Sequence, residues 1–253
     1  MPIVFTRYGS AARQASSLTG SLIITAVAAW LLQLFSGNTR EFNLLFGFVP
    51  EQAISREHLW QFVSYIFLHV GFFHLLFNMI ALHAFGRPLE QTLGKFRFAI
   101  LFFISGIGSA LFHGLIALDA ADGSALVPMI GASGAVLGVA AGFARAFPTA
   151  VVLLFGIIPV RAWTLIMLYA FFELMSGLNQ RISPVAHLAH FSGIVIGVSL
   201  MSLFMLAQRR TRPRSARSPD QGSGSRDESG KVHRDERGRT IIDLEKGDDG
   251  LWR

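Results

Sequence analysis

Apolar residues run through this chain in long unbroken blocks, without the one-face spacing of a soluble helix or the alternation of a half-buried strand. The blocks fall at 18–36, 62–86, 97–118, 125–147, 162–178 and 184–207. A helix crossing a hydrocarbon core of ~30 Å needs about 20 such residues, so the pattern predicts an all-α, polytopic membrane protein with a bundle of six transmembrane helices. Three parts follow from the same pattern: a polar N-terminal segment at 1–17, a six-helix membrane domain at 18–207, and a polar tail at 208–253. The connection at 37–61 is partly apolar (Phe42, Phe46, Phe48, Trp60) and is expected to lie in the membrane interface.

Small residues inside two of the blocks predict how they pack. Gly134, Gly138 and Gly142 recur every four residues in the fourth block, leaving a helix side without side chains that a neighbour can approach closely. In the sixth block Gly193 and Gly197 share one helix face with His190, at about 100° of rotation per residue. Pressing that face against the glycine side of the fourth block brings His190 to Ser133, which stands between Gly131 and Gly134. The stretch 124–132 contains Pro128 and Gly131 and is expected to descend as non-helical backbone covered by protein or water. The first amides of the following helix are then left free near Ser133, a natural site for developing negative charge.

Polar side chains within lipid are costly, so each is a functional candidate. In the second block His74 and Asn78 are four apart and share a helix face, with His69 about a turn above them. His190 is six residues into its block, or about 9 Å at helical rise, a depth that His74, Asn78 and Ser133 can share. A serine hydroxyl needs an adjacent base to become a nucleophile, and a near-neutral histidine supplies one. Ser133 and His190 are thus the candidate catalytic pair. The Ser133 amide, Asn78 and His74 are the candidate oxyanion donors, with Gly131 and His69 in support. No acid other than Glu173 suits a third member; Glu173 is read as a hydrogen-bonded structural group, which leaves a dyad. His187, one turn from His190, is the competing base. His69 either joins the site or bonds a loop, and His83 and His113 default to structural roles.

Composition sharpens this picture. Of 253 residues, 52% are hydrophobic and 15% charged, too apolar for an ordinary soluble domain. Residues 208–253 hold 12 of the 22 Lys and Arg and 9 of the 16 acids, and are expected to be largely disordered. The basic cluster at 209–214 suits anionic membrane lipid, while the acids that follow it argue against a nucleic-acid partner. With no cysteine, disulfide and thiolate chemistry are excluded. No metal or cofactor is expected. Nine Lys and Arg lie in short segments on the side of the termini against three (Arg40, Arg56, Arg181) on the other. That bias puts both termini in the cytoplasm, with a bacterial cell (inner) membrane as the expected location. Water has to reach Ser133 from the outer side, under the fifth block and the 179–184 connection. The fifth block is the expected mobile gate.

Gly131-Ala-Ser-Gly134, the His69…His74-x-x-x-Asn78 element and Ala189-His-x-x-Gly-x-x-x-Gly197 together resemble the three signatures of the rhomboid intramembrane serine proteases, over residues 18–207. The resemblance implies a six-helix bundle, a Ser133–His190 dyad and an oxyanion site at His74 and Asn78. It also implies single-span transmembrane proteins as substrates, cut in or near the bilayer, and a structural role for Glu90. The chain departs from the family at two points. Trp60-Gln61 stands where some members have Trp-Arg. Leu137 replaces an aromatic residue that packs on the histidine ring in many members, leaving open what orients His190. Two other readings compete: a non-catalytic relative that binds client transmembrane helices, which would normally have lost Ser133 or His190, and a transporter, which would show repeated halves.

Overall fold

The structure is a computed structural model that describes residues 17–120, 122–154, 157–178, 184–211, 232–234 and 240–242. Expectations for 1–16, for the 179–183 connection and for most of the tail lie outside these residues. Two units are distinguished, Met1–Thr211 and Arg212–Arg253.

The first unit is helical. Helix α1 (Leu18–Phe35) starts at Ser17, whose side chain accepts from the Gly20 amide. The Glu90 carboxylate also sits on this helix start. It accepts from the Ser17 hydroxyl at 2.8 Å, the Leu18 amide at 2.7 Å, the Thr19 amide at 2.9 Å and the Thr19 hydroxyl at 2.7 Å. Amides that an α-helix cannot pair internally are thereby satisfied by an acid at the positive end of the helix dipole. Glu90 belongs to α5 (Arg87–Leu93), so the contact clamps the first helix to the end of the second apolar block.

The connection after α1 is folded. It holds helix α2 (Thr39–Phe46) and a π-helical turn at Glu51–Ser55. Gln61 stitches it together: its Oε1 accepts from the Val49 amide at 3.0 Å, and its Nε2 donates to the Leu44 carbonyl at 3.0 Å and to Gln52 at 2.9 Å. Trp60 adds a bond from its indole N–H to the Leu45 carbonyl at 2.9 Å. A neutral amide fully buried at position 61 thus organises the loop.

The second apolar block is not one helix as expected. A short helix α3 (Gln61–Ser64) and a 3-10 turn (Tyr65–Phe67) precede a break, after which α4 (Phe72–Ala81) runs through a π-helical turn (Leu82–Gly86) into α5. The two parts are bent by 98°. The break is held from outside the segment: the His69 amide donates to the Gln33 side chain of α1 at 3.1 Å and so has no helical partner. His69 therefore lies in the break and not a turn above His74 on the same helix.

Gly94, at φ +78, ends α5 and opens α6 (Lys95–Asp119). Helix α7 (Ser133–Ala146) starts at Ser133, after a 3-10 turn at Ser124–Leu126 and the expected non-helical entry. A strand pair, β1 (Val151–Leu154) and β2 (Ile158–Arg161), joins antiparallel before α8 (Ala162–Leu178) and α9 (Pro184–Thr211). Helix α9 thus runs past the expected boundary at 207. In the second unit, Val232–Arg234 pairs antiparallel with Thr240–Ile242, an ordered piece in a stretch read as disordered.

Among the described residues, Leu18–Phe35, Lys95–Asp119 and His187–Gln208 are long and apolar enough to cross a membrane. The bent pair 61–67 and 72–93 makes a fourth candidate. Helices α7 and α8 are apolar but shorter, at 14 and 17 residues. Large apolar side chains face outward, among them Phe72, Phe73 and Phe77 of α4 and Leu168, Phe171 and Phe172 of α8. A soluble monomer rarely exposes such a surface; in hydrocarbon it carries no penalty.

Glycine packing joins α7 to α9. A Cβ on Gly193 or Gly197 would overlap the backbone carbonyls of Gly134 and Gly138, so these helices meet backbone to backbone. The α7 glycines themselves face elsewhere. A Cβ on Gly134 or Gly138 would strike Ser109 or Ser105 of α6, and one on Gly142 would meet Leu101. The expected glycine groove is therefore divided: its carbonyl edge takes α9 and its open side takes the small face of α6. That arrangement places α7 between two close neighbours and fixes the height of its first residue.

Candidate active site

Ser133 owes its position to the strand-like segment that leads into α7. Met129 and Phe48 exchange backbone bonds, Phe48 N–H to Met129 O at 2.9 Å and Met129 N–H to Phe48 O at 2.8 Å. The Gly131 amide then donates to the Tyr65 carbonyl at 3.0 Å. These bonds give the extended entry the cover that non-helical backbone needs at this depth. Gly131 has φ +133, a conformation that disfavours any side chain. A Cβ there would also fall 2.7 Å from Cε1 of His74. The glycine thus turns the chain into the helix and leaves room for the His74 ring.

His190 reaches Ser133 from α9. Ser133 Oγ and His190 Nε2 are 2.7 Å apart. Two serines hold the neighbouring carbonyl of Ala189: Ser192 donates to it at 2.7 Å, and Ser109 of α6 donates to it as well. The pair opens into a cavity of about 210 Å³ whose walls include Tyr65, His74, Met129, Gly131, Ser133 and His190.

Glu173 of α8, expected as a hydrogen-bonded structural group, lies against two histidines of α9. Its side chain is 2% exposed. Oε1 lies 3.2 Å from Nδ1 of His190, and Oε2 lies 2.7 Å from Nδ1 of His187. His187 is thus engaged with the acid, and the ring facing Ser133 is His190. Helix depth carried the signal for this contact: Glu173 is five residues from the C-terminal end of α8, and His190 six from the start of α9. Leu137 takes no part here; it packs with the apolar cluster of Ala140, Ile166, Ala170 and Ile194.

The remaining candidates are arranged as follows. His74 lines the cavity and its ring meets the His69 ring edge-on at 5.1 Å. His69 is 1% exposed, with Nδ1 3.3 Å from the Phe67 carbonyl. Asn78 is buried but is not among the residues lining the cavity; its Nδ2 donates to the His74 carbonyl at 2.8 Å, which leaves one amide hydrogen for another acceptor. His113 is buried edge-on to Phe48, away from the reacting pair.

Apolar helices that bring a serine hydroxyl onto a histidine at the wall of a cavity, with a carboxylate on the other ring nitrogen, define a membrane protein with a hydrolase-like centre. Comparison with known sequences gives the family. The rhomboid domain model matches residues 56–207. Rhomboid protease AarA of Providencia stuartii is 30% identical over 224 residues, covering 78% of this chain and 76% of that protein. RHOMBOID-like protein 5 of Arabidopsis thaliana is 37% identical over 92 residues, 36% of this chain and 28% of that protein. Rhomboid protease GlpG of Yersinia pestis (strain Pestoides F) is 30% identical over 105 residues, 40% of this chain and 37% of that protein. The chain belongs to the rhomboid family and is an integral membrane protein.

Proposed function

We propose that this rhomboid is a serine endopeptidase that cleaves single-span transmembrane proteins in or near the bilayer. The observation that carries the reading is the 2.7 Å contact between Ser133 Oγ and His190 Nε2 at the wall of an open cavity. His190 Nε2 takes the hydroxyl proton as Ser133 Oγ attacks the substrate carbonyl carbon. The oxygen of the tetrahedral intermediate gains its charge beside the Ser133 amide, His74 and the spare Asn78 amide hydrogen, donors worth about 3–4 kcal/mol each where measured elsewhere. His190 returns the proton to the leaving amine. Water, activated by the same ring, then releases the acyl group from Ser133. Gly131 gives His74 its place, and His69 backs the His74 ring.

Six membrane crossings complete the reading, with α7 reaching the outer surface through the 127–132 entry. Residues 18–207 form the membrane domain, with 1–17 and 208–253 in the cytoplasm of a bacterial cell. The client-binding alternative uses the same helices but gives no use to the short Ser133–His190 contact.

A fluorophosphonate probe tests the pair in purified protein. Labelling is expected in the wild type and should be lost in Ser133→Ala and His190→Ala. Equal labelling of all three would make Ser133 a packing residue and favour client binding.

A further inference from the structure

We propose that Glu173, held by His187, is the positioning residue that sets the tautomer and rotamer of His190; the inference rests on the protease reading above. Glu173 reaches from α8 to touch Nδ1 of two α9 rings with its two oxygens, at 3.2 Å for His190 and 2.7 Å for His187. A carboxylate accepts hydrogen bonds and does not donate them. Each ring facing it therefore carries its proton on Nδ1, and Nε2 of His190 keeps a lone pair toward Ser133 Oγ. That is the tautomer a general base needs. When His190 takes the serine proton at Nε2, the new imidazolium stands beside a buried negative charge that is already in place. The proton on Nδ1 stays where it is.

The second oxygen of Glu173 has its own role. A carboxylate bonded at one oxygen alone can rotate about its last torsion, which is broad. His187 fixes the other oxygen. The plane of the carboxylate is thus set by a ring on each oxygen, and it delivers Oε1 to His190. Leu137 packs among aliphatic residues of α7, α8 and α9, so an aromatic ring on His190 is replaced here by an acid. The helix that supplies the acid is the expected gate, so outward movement of α8 would also withdraw Glu173 from His190.

Reaction of the full chain with a fluorophosphonate tests this in Glu173→Gln, Glu173→Asp and His187→Phe. Glutamine can donate to Nδ1 and so favours the wrong tautomer. The maximal labelling rate of Glu173→Gln is expected to fall roughly 10²- to 10⁴-fold, with the probe concentration for half-maximal rate within threefold of wild type. Glu173→Asp should recover part of the rate, and His187→Phe should show a smaller fall. A Glu173→Gln protein that labels within threefold of wild type would overturn the proposal and leave Glu173 a packing group. Nitrogen NMR of the unmodified chain, with His190 assigned by His190→Ala, gives a check that does not depend on how the variants fold. The proton is expected on Nδ1, and a proton on Nε2 would overturn the proposal. Wild-type protein with no Ser133-dependent label would sink the protease reading itself, while the NMR result would still decide the Glu173 contact.

Discussion

At the scale of single residues, Gly131 carries two constraints at once. Its φ of +133 and the His74 ring next to its missing Cβ both exclude a side chain. Gly131→Ala is expected to cost roughly 1–3 kcal/mol in backbone strain and to push His74 out of the cavity. Thermal unfolding should show a modest loss and fluorophosphonate labelling a larger one; unchanged labelling would remove His74 and Gly131 from the proposed oxyanion site. Ser133, His190, His74 and Gly131 were legible in the sequence because polar and small residues stand out inside apolar blocks, where a polar group is costly unless it is paired or put to use. Glu173 was read as a structural group because only helix depth tied it to His190, and two helices of equal depth can still face apart. His69 was misplaced for a different reason: a side chain of α1, Gln33, takes its amide, and no pattern within residues 62–86 records a partner so distant in sequence.

At the scale of elements, the α7–α9 contact does most to bring the reacting groups together. Gly197 lies two turns from His190, yet its missing Cβ is what lets α9 rest on the Gly138 carbonyl. Gly197→Val would meet backbone that cannot move aside, at a cost of about 1–3 kcal/mol. Labelling at Ser133 should fall even though no reacting group is changed. Normal labelling together with an unchanged melting temperature would mean that the two helices can separate without moving His190. Glycines four apart made this contact readable in advance, but not its division between α6 and α9. Small residues on α6, Ser105 and Ser109, had drawn no attention because serine is unremarkable on a helix. Helix α8 offers a second test. The chain has no cysteine, so one introduced pair can link α4 to α8 without competing thiols. That link is expected to block cleavage of a membrane substrate while leaving labelling by a small probe intact. Unchanged cleavage would remove α8 as the gate.

At the scale of the whole molecule, polar contacts among the described residues of the first unit tie its apolar helices to one another. Glu90 ties α1 to α5, Arg145 of α7 donates to Ser202 of α9 at 3.0 Å, and Glu173 ties α8 to α9. Three candidate crossings were evident in both composition and helix length, and the bent pair adds a fourth. The late start of α7 was legible from Pro128 and Gly131; the bend of 98° was harder to read, because an apolar block records membrane depth and not whether its backbone is helical. The proposed membrane domain ends near the close of α9, so a chain cut after Thr211 is expected to label as the full chain does. A loss of labelling on truncation would give the tail a part in the activity. The central claim is tested most directly by reconstituting the full chain in liposomes with a single-span reporter protein and following the reporter by mass spectrometry. Wild-type protein should release two fragments cut in or near the membrane segment, and Ser133→Ala and His190→Ala should leave the reporter whole. A reporter left intact by wild-type protein, or cut equally by all three, would contradict the account.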